Sequence, residues 1–206
     1  MFYDPRQGPR PYPLSHNPFN ALIAPRPIGW ISTRDGSGRF NLAPFSYFAG
    51  ISADPPMVAF APNSKDLEGR PKDTLRNVLD VPEFVVNLAT YELRESVVLT
   101  SEVYPHGISE FQEAGLTAAP GVNVSVPRVG ESPAALECTV FDTLELPAGP
   151  NKRQSVLVVG EVVGIYIEDR VIKDGLVDQL ALQQLARLGY FHYSHVTNVF
   201  DMQRPK

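Results

Sequence analysis

The chain has 206 residues, a formal net charge of −5 and one cysteine, Cys138. A chain of this length buries roughly 70% of its unfolded surface, enough for one sizeable core. Its 43% hydrophobic and 20% charged residues are a globular composition, which excludes disorder for the bulk of it. A single cysteine excludes an internal disulfide framework and a cysteine zinc cage. The negative charge argues against nucleic acid or an anionic membrane as partner. No apolar run approaches the roughly 18 residues of a membrane helix. The N-terminus lacks a signal-peptide core, so the cytoplasm is the expected location. Twenty prolines are nearly twice the usual share of about 5%, and proline at that density favours short strands and turns over long helices.

Residues 1–20 carry five prolines and little periodicity, and read as an extended arm that is ordered only if it docks. One domain is expected over 21–200, with a tail at 201–206. IleGlyTrpIleSerThr (28–33) is a predicted strand, ArgAspGlySerGlyArg (34–39) a hairpin turn with an Asp-Gly signal, and 40–48 the returning strand. Pro55-Pro56 interrupts the chain before a buried strand at 57–61. A short helix opens at Lys72 or Asp73 with Leu75, Val78 and Leu79 on one face, and a strand follows over 83–88. Thr90 caps a predicted helix to about Thr100, and Ser109 with Gln112 forms a capping box for another.

Over 134–146, Ala134, Leu136, Cys138, Val140, Leu144 and Leu146 share a face, with Asp142 the exception. The long strand at 155–168 contains Gly160 and Gly164, which mark a bulge or barrel corner. Asp178 caps a predicted helix to Leu188, ended by Gly189. Strands and helices do not alternate as βαβ units, so the expected fold is mainly β: an antiparallel barrel with peripheral helices.

No GxSxG, HExxH or Walker loop is present. His192 and His195 stand at i, i+3, but no carboxylate or cysteine nearby completes a metal set, and a surface or cleft histidine is the favoured reading. No metal and no individually catalytic side chain is expected.

Two stretches carry ligand signals. In 24–48, Arg26 lies between two prolines. Ser32, Thr33, Asn41 and Ser46 recur at strand ends beside Trp30, Phe45, Tyr47 and Phe48. A planar heteroaromatic ligand needs such flat apolar contacts with donors and acceptors at its edge. The same pattern also describes a hairpin whose aromatics are core. In LysAspThrLeuArgAsn (72–77), a helix start with a lysine and a threonine hydroxyl makes an anion site, or a plain capped surface helix.

Together these stretches resemble the flavin reductase-like family of FMN-binding split barrels, in the branch of flavoredoxins and the small component of nitrilotriacetate monooxygenase. The resemblance rests on six segments in family order. They are ArgProIleGlyTrpIleSerThr (26–33), AsnLeuAlaProPheSerTyrPhe (41–48), AspProProMetValAlaPhe (54–60), LysAspThrLeuArgAsn (72–77), ProArgValGlyGluSerProAlaAlaLeuGluCys (127–138) and ArgLeuGlyTyrPheHisTyr (187–193).

The resemblance implies a Greek-key antiparallel split barrel and a homodimer with FMN held non-covalently near the subunit interface. It implies that Arg26, Trp30, Ile31, Ser32, Thr33, Asn41, Ala43, Pro44, Phe45 and Ser46 face the isoalloxazine and ribityl chain. The loop after 60, with Lys72, Asp73, Thr74 and Asn77, would hold the phosphate. The implied activity is an NAD(P)H:FMN oxidoreductase, with supply of reduced flavin to a separate monooxygenase. The alternatives are a flavoredoxin-like electron carrier and an FMN-binding protein without turnover. The chain departs from the family pattern at two places. Tyr190 stands where the Arg-x-Gly-Gly motif has its second glycine, beside the flavin. The segment after 62 lacks the common Ser-x-x-Thr phosphate loop.

Overall fold

The apolar, alternating segments assemble into one antiparallel sheet. The computed structural model describes residues 1–6, 10–62, 71–105, 107–148 and 155–203. Its main sheet has seven strands, in the order Phe40–Phe45, Gly29–Arg34, Glu83–Leu88, Ala134–Glu145, Val156–Ile167, Pro56–Phe60 and Phe48–Ala53. Every neighbouring pair is antiparallel. The two edge strands follow one another in the chain, separated only by Ser46 and Tyr47. At about 3.5 Å of reach per residue, so short a link forces the two edges together, and the sheet must curl. Phe45 on one edge strand meets Phe60 from near the other edge, ring centroids 5.5 Å apart, and Phe60 meets Phe84 at 5.1 Å. These rings, with Ile31, Val58, Val86, Cys138 and Val158, fill the inside of the curl. Helix Asp73–Asp80 adds Leu75 and Val78 to that core.

A second core lies on the outer face, where Trp30, Leu42, Val97, Phe111 and Leu185 pack together. The strand Gly29–Arg34 is therefore buried on both faces. A three-stranded sheet of Arg26–Pro27, Leu185–Arg187 and Tyr193–His195 covers that side.

The bulges expected at the two glycines are present. The register between the long strands shifts between Val159 and Gly160, and again between Val162 and Gly164. At the first shift Phe141 is the extra residue, and beyond it the alternation inverts. Leu144 is therefore exposed instead of sharing the core face of Leu136 and Cys138. A Cβ on Gly160 would stand 2.4 Å from the Phe84 ring. Gly160→Val is expected to lower stability by about 1–3 kcal/mol through overpacking, read as a drop in thermal midpoint; an unchanged midpoint would show that the barrel corner relaxes freely.

Four boundaries differ from expectation. The strand from Phe40 stops at Phe45, and Phe48–Ala53 is a separate strand at the opposite edge, with every residue after Phe48 exposed, so no apolar alternation announced it. The helix after Thr90 spans only Arg94–Leu99, although the Thr90 hydroxyl accepts the Leu93 N–H at 3.4 Å. Asp178 does cap a helix, accepting the Leu180 and Ala181 N–H groups, but Gln183 at φ 45° ends it after Gln179–Leu182. The rest of the predicted helix is the strand Leu185–Arg187, which pairing to Arg26–Pro27 holds extended. Gly189 is therefore no helix cap. A Cβ there would stand 2.5 Å from Ala21, so the glycine admits the short N-terminal helix Phe19–Leu22. On helix Asp73–Asp80 the buried face runs through Thr74 and Asn77, and Leu79 is exposed.

Candidate functional site

Helix Asp73–Asp80 is fastened to the sheet by two buried polar pairs. Asn41 Nδ2 donates to Thr74 Oγ1 at 3.0 Å, and Asn77 Nδ2 donates to Thr33 Oγ1 at 3.0 Å. Breaking either would leave a buried polar group unsatisfied, which is costly. The first holds the helix start against the edge strand Phe40–Phe45, and the second holds the middle of the helix against the strand Gly29–Arg34. Lys72 is the N-cap residue and half-buried there. Burial pushes its ammonium pKa down, and the Glu110 carboxylate opposes that shift. Glu110 is itself buried, and its Oε2 accepts the Leu42 N–H at 2.9 Å. Burial raises its pKa, and the hydrogen bond from Leu42 works against the rise. Asp73 is paired with Arg76. Asn41, Lys72, Thr74 and Glu110 line a cavity of about 30 Å³.

At the other end of the same edge strand, Pro44 and Ser46 line a second cavity, of about 220 Å³, with Arg26, Arg187, Tyr190 and Tyr193. Arg26 is buried, and its guanidinium serves the backbone. Nη1 donates to the Asn20 and Ile23 carbonyls, both at 2.5 Å, and Nη2 to the Leu188 carbonyl at 3.1 Å. It thereby ties the N-terminal helix to the loop that carries Tyr190. Tyr190 has φ 59°, the left-handed region that favours glycine. Arg187 Nη2 donates to its carbonyl at 2.5 Å. His16 from the N-terminal arm meets its ring edge-on at 5.5 Å.

The sequence-predicted residues thus sort by access. Pro44, Ser46, Lys72, Asp73 and Tyr190 present surface. Arg26, Trp30, Ile31, Ser32, Thr33, Asn41, Ala43, Phe45, Thr74 and Asn77 are buried. Trp30 Nε1 donates to Thr100 Oγ1 at 2.8 Å, and Ser32 Oγ donates to the Pro127 carbonyl at 2.6 Å. Ile31, Ala43 and Phe45 belong to the barrel core. These buried side chains shape the edge strand and helix start. Of the predicted phosphate loop after 60, residues 63–70 lie outside the described residues.

Sequence reading missed Glu110, which it placed inside a capping motif. Ser109 is the N-cap, yet its side chain makes no capping bond, while Glu110 reaches a strand 68 residues away. It also missed a cavity of about 590 Å³ beside Tyr91 and His195. His192 precedes the strand Tyr193–His195, so the two histidines do not share a helix face. Among the described residues no three His, Cys, Asp or Glu side chains group as metal ligands. Burial, then the Glu137 charge, pushes the Cys138 thiol up to about 12, so it stays protonated at neutral pH.

Residues 22–186 match the model of the flavin reductase like domain. The chain belongs to the flavin reductase-like family. A protein of Deinococcus radiodurans is 36% identical over 193 residues, covering 89% of this chain and 82% of the relative. Among solved structures, nitrilotriacetate monooxygenase component B of Bacillus cereus superposes with a TM-score of 0.83 at 26% identity, covering 94% of this chain and all of the other. A split-barrel-domain protein of Shewanella frigidimarina gives 0.79 at 24% identity, covering 91% and 90%. The curled seven-stranded sheet of this flavin reductase-like chain is thus a split barrel, with helix Asp73–Asp80 contributing to its core. No helix of the described residues is long and apolar enough to cross a membrane.

Proposed function

We propose that this flavin reductase-like protein binds FMN non-covalently as a homodimer and reduces it with NAD(P)H, delivering reduced flavin to a separate monooxygenase. The observation that carries this reading is the edge strand Phe40–Phe45, with a desolvated cation, Lys72, at one end and the Pro44–Ser46–Tyr190 cleft at the other. At about 3.3 Å per residue, Asn41 and Phe45 are roughly 13 Å apart, which suits a phosphate and a ring system joined by a five-carbon polyol. A phosphate dianion restores to Lys72 the charge stabilisation that burial removed. When bound, FMN supplies the redox chemistry by accepting hydride from the nicotinamide at N5. The chain's own part is positional. Lys72 and the helix start hold the phosphate, and Pro44 and Ser46 abut the ring. Arg26 and Arg187 fix the loop on which Tyr190 stands over the cleft.

The two cavities at the ends of the edge strand, about 220 and 30 Å³, are smaller than the roughly 300 Å³ at which ligand pockets begin. That supports a site completed by a second copy. Phe141 and Leu144 are exposed near the end of the strand Ala134–Glu145, apolar side chains that a second copy would cover. Light scattering at micromolar concentration is expected to give twice the mass of one chain, with C2 symmetry; the mass of a single chain would remove the homodimer.

Apoprotein titrated with both flavins is expected to bind FMN in preference to FAD, since one anion site is available and no GxGxxG turn serves a dinucleotide. Tighter FAD binding would contradict the reading. A second reading, a flavoredoxin-like electron carrier or an FMN-binding protein without turnover, is favoured by Tyr190, whose ring lines the cleft a nicotinamide must enter. Steady-state oxidation of NADH and NADPH with free FMN separates the two: turnover supports the reductase, and its absence the carrier or storage protein.

A further inference from the structure

The cleft of about 220 Å³ at the Ser46 end of the edge strand is lined by two arginines, Arg26 and Arg187, and none of the described residues lining it is Asp or Glu. Arg26 is only 7% exposed. Its Nη1 and Nη2 donate to the carbonyls of Asn20, Ile23 and Leu188, and its Nε is buried without a partner. Arg187 donates to the Tyr190 carbonyl and the Tyr193 hydroxyl, and its guanidinium lies 4.3 Å from the centre of the Tyr193 ring. All of these acceptors are uncharged. Among the described residues, neither guanidinium is paired with a carboxylate. A buried charge without a counter-charge is costly, so folded chains normally pair it. Arginine cannot escape that cost by losing its proton. In a chain of net charge −5, two unpaired cations at one cleft mark a place where negative charge arrives from outside the chain. Lys72, at the other end of the strand, accounts for the phosphate of FMN, so the cleft pair calls for a second negative charge.

Flavin reduction supplies one. The oxidised ring is neutral. Hydride brings two electrons and one proton, so its addition leaves the ring with one negative charge until a further proton binds, and the nicotinamide departs oxidised with the matching positive charge. Resting on the FMN reading, we propose that Arg26 and Arg187 hold the anionic, reduced form of FMN more tightly than the oxidised form. The guanidinium charges act across the low-dielectric wall of the cleft, so they need no direct bond to the ring. Arg26, being buried, is the less screened by salt. Tighter binding shows mainly as slower release, so reduced flavin passes to its acceptor on contact and does not first enter solution.

The test measures the affinity of the full chain for oxidised FMN and for dithionite-reduced FMN, without oxygen and at mildly alkaline pH, where reduced flavin is an anion. Reduced FMN is expected to bind about tenfold more tightly, which sets the two-electron potential of bound FMN about 30 mV above that of free FMN. Arg187→Gln keeps an N–H donor for the Tyr190 carbonyl but no charge, and should lose a large part of that preference. Arg187→Lys keeps the charge and should retain it. The preference left in Arg187→Gln comes from Arg26 and should be the same at low and high salt; its absence would take Arg26 out of the proposal. Equal affinity for the two redox states, or tighter binding of oxidised FMN, would overturn the proposal and leave the FMN reading standing. Failure of both states to bind would overturn the two together. Equal loss of the preference in Arg187→Gln and Arg187→Lys would make Arg187 an anchor of the Tyr190 loop and nothing more. An unchanged preference in Arg187→Gln with weakened NADH or NADPH binding would assign its charge to the phosphates of the donor, against the proposal.

Discussion

Lys72→Ala is expected to weaken FMN binding about ten- to a hundredfold while leaving riboflavin binding unchanged. A charge-assisted hydrogen bond contributes roughly 1.5–3 kcal/mol, and riboflavin has no phosphate to receive it. Lys72 is half-buried at the start of helix Asp73–Asp80, so its charge is not screened as a fully exposed lysine's would be. The same burial gives the binding a pH dependence of definite sign. Lys72 has a lowered pKa, with burial the larger cause and Glu110 opposing it. Phosphate binding favours the charged form, so the lysine's contribution is present below its free-state pKa. It is lost as pH rises through the bound-state pKa, starting at a lower pH than for an exposed lysine. Flavin fluorescence titrations from neutral to alkaline pH should show FMN affinity falling in the parent chain, with riboflavin affinity and the Lys72→Ala variant lacking this component. Equal losses for FMN and riboflavin would mean that the substitution disturbs the fold and that Lys72 does not hold the phosphate.

Tyr190→Gly is expected to speed reduction of bound flavin by NAD(P)H about tenfold or more in stopped flow, the equivalent of about 1.4 kcal/mol off the barrier. FMN affinity should stay level or fall slightly. Tyr190 lies in the cleft with Pro44 and Ser46, and a tyrosine ring is a flat surface that can occupy the place where a nicotinamide would stack. Its backbone is in the left-handed region at φ 59°, a conformation that costs a non-glycine residue about 1–2 kcal/mol. Glycine removes both the cover and that cost, so the thermal midpoint should hold or rise despite the lost contact with His16. An unchanged reduction rate would place the ring outside the nicotinamide path, and gating by Tyr190 would be abandoned.

Much of the molecule is legible in its residues because much of it is local. The Asp-Gly turn, the helix start at Lys72, the Asp178 cap and the two glycine bulges each follow from backbone preferences within a few residues. The flat-ligand and anion signals at 24–48 and 72–77 lie at the two ends of one edge strand. Access was not legible. The sequence shows small polar residues beside aromatics between 30 and 48, a pattern shared by a ligand wall and a packed hairpin. Burial of Trp30, Ile31 and Phe45 shows that the packed-hairpin description applies to these residues.

What the sequence by itself determined is where most of the strands and turns fall, because periodicity, caps and turn chemistry act over a turn or a strand. What only the tertiary structure decided involves partners far apart in the chain. Phe45 meets Phe60 only because the sheet curls, and Glu110 reaches the Leu42 amide across 68 residues. Residues 185–187 become a strand because Arg26–Pro27 lies alongside to pair with them. Apolar periodicity tells which face of an element will be covered, but what covers it depends on long-range closure, and that closure leaves Pro44, Ser46, Lys72, Asp73 and Tyr190 at the surface while burying the other predicted site residues.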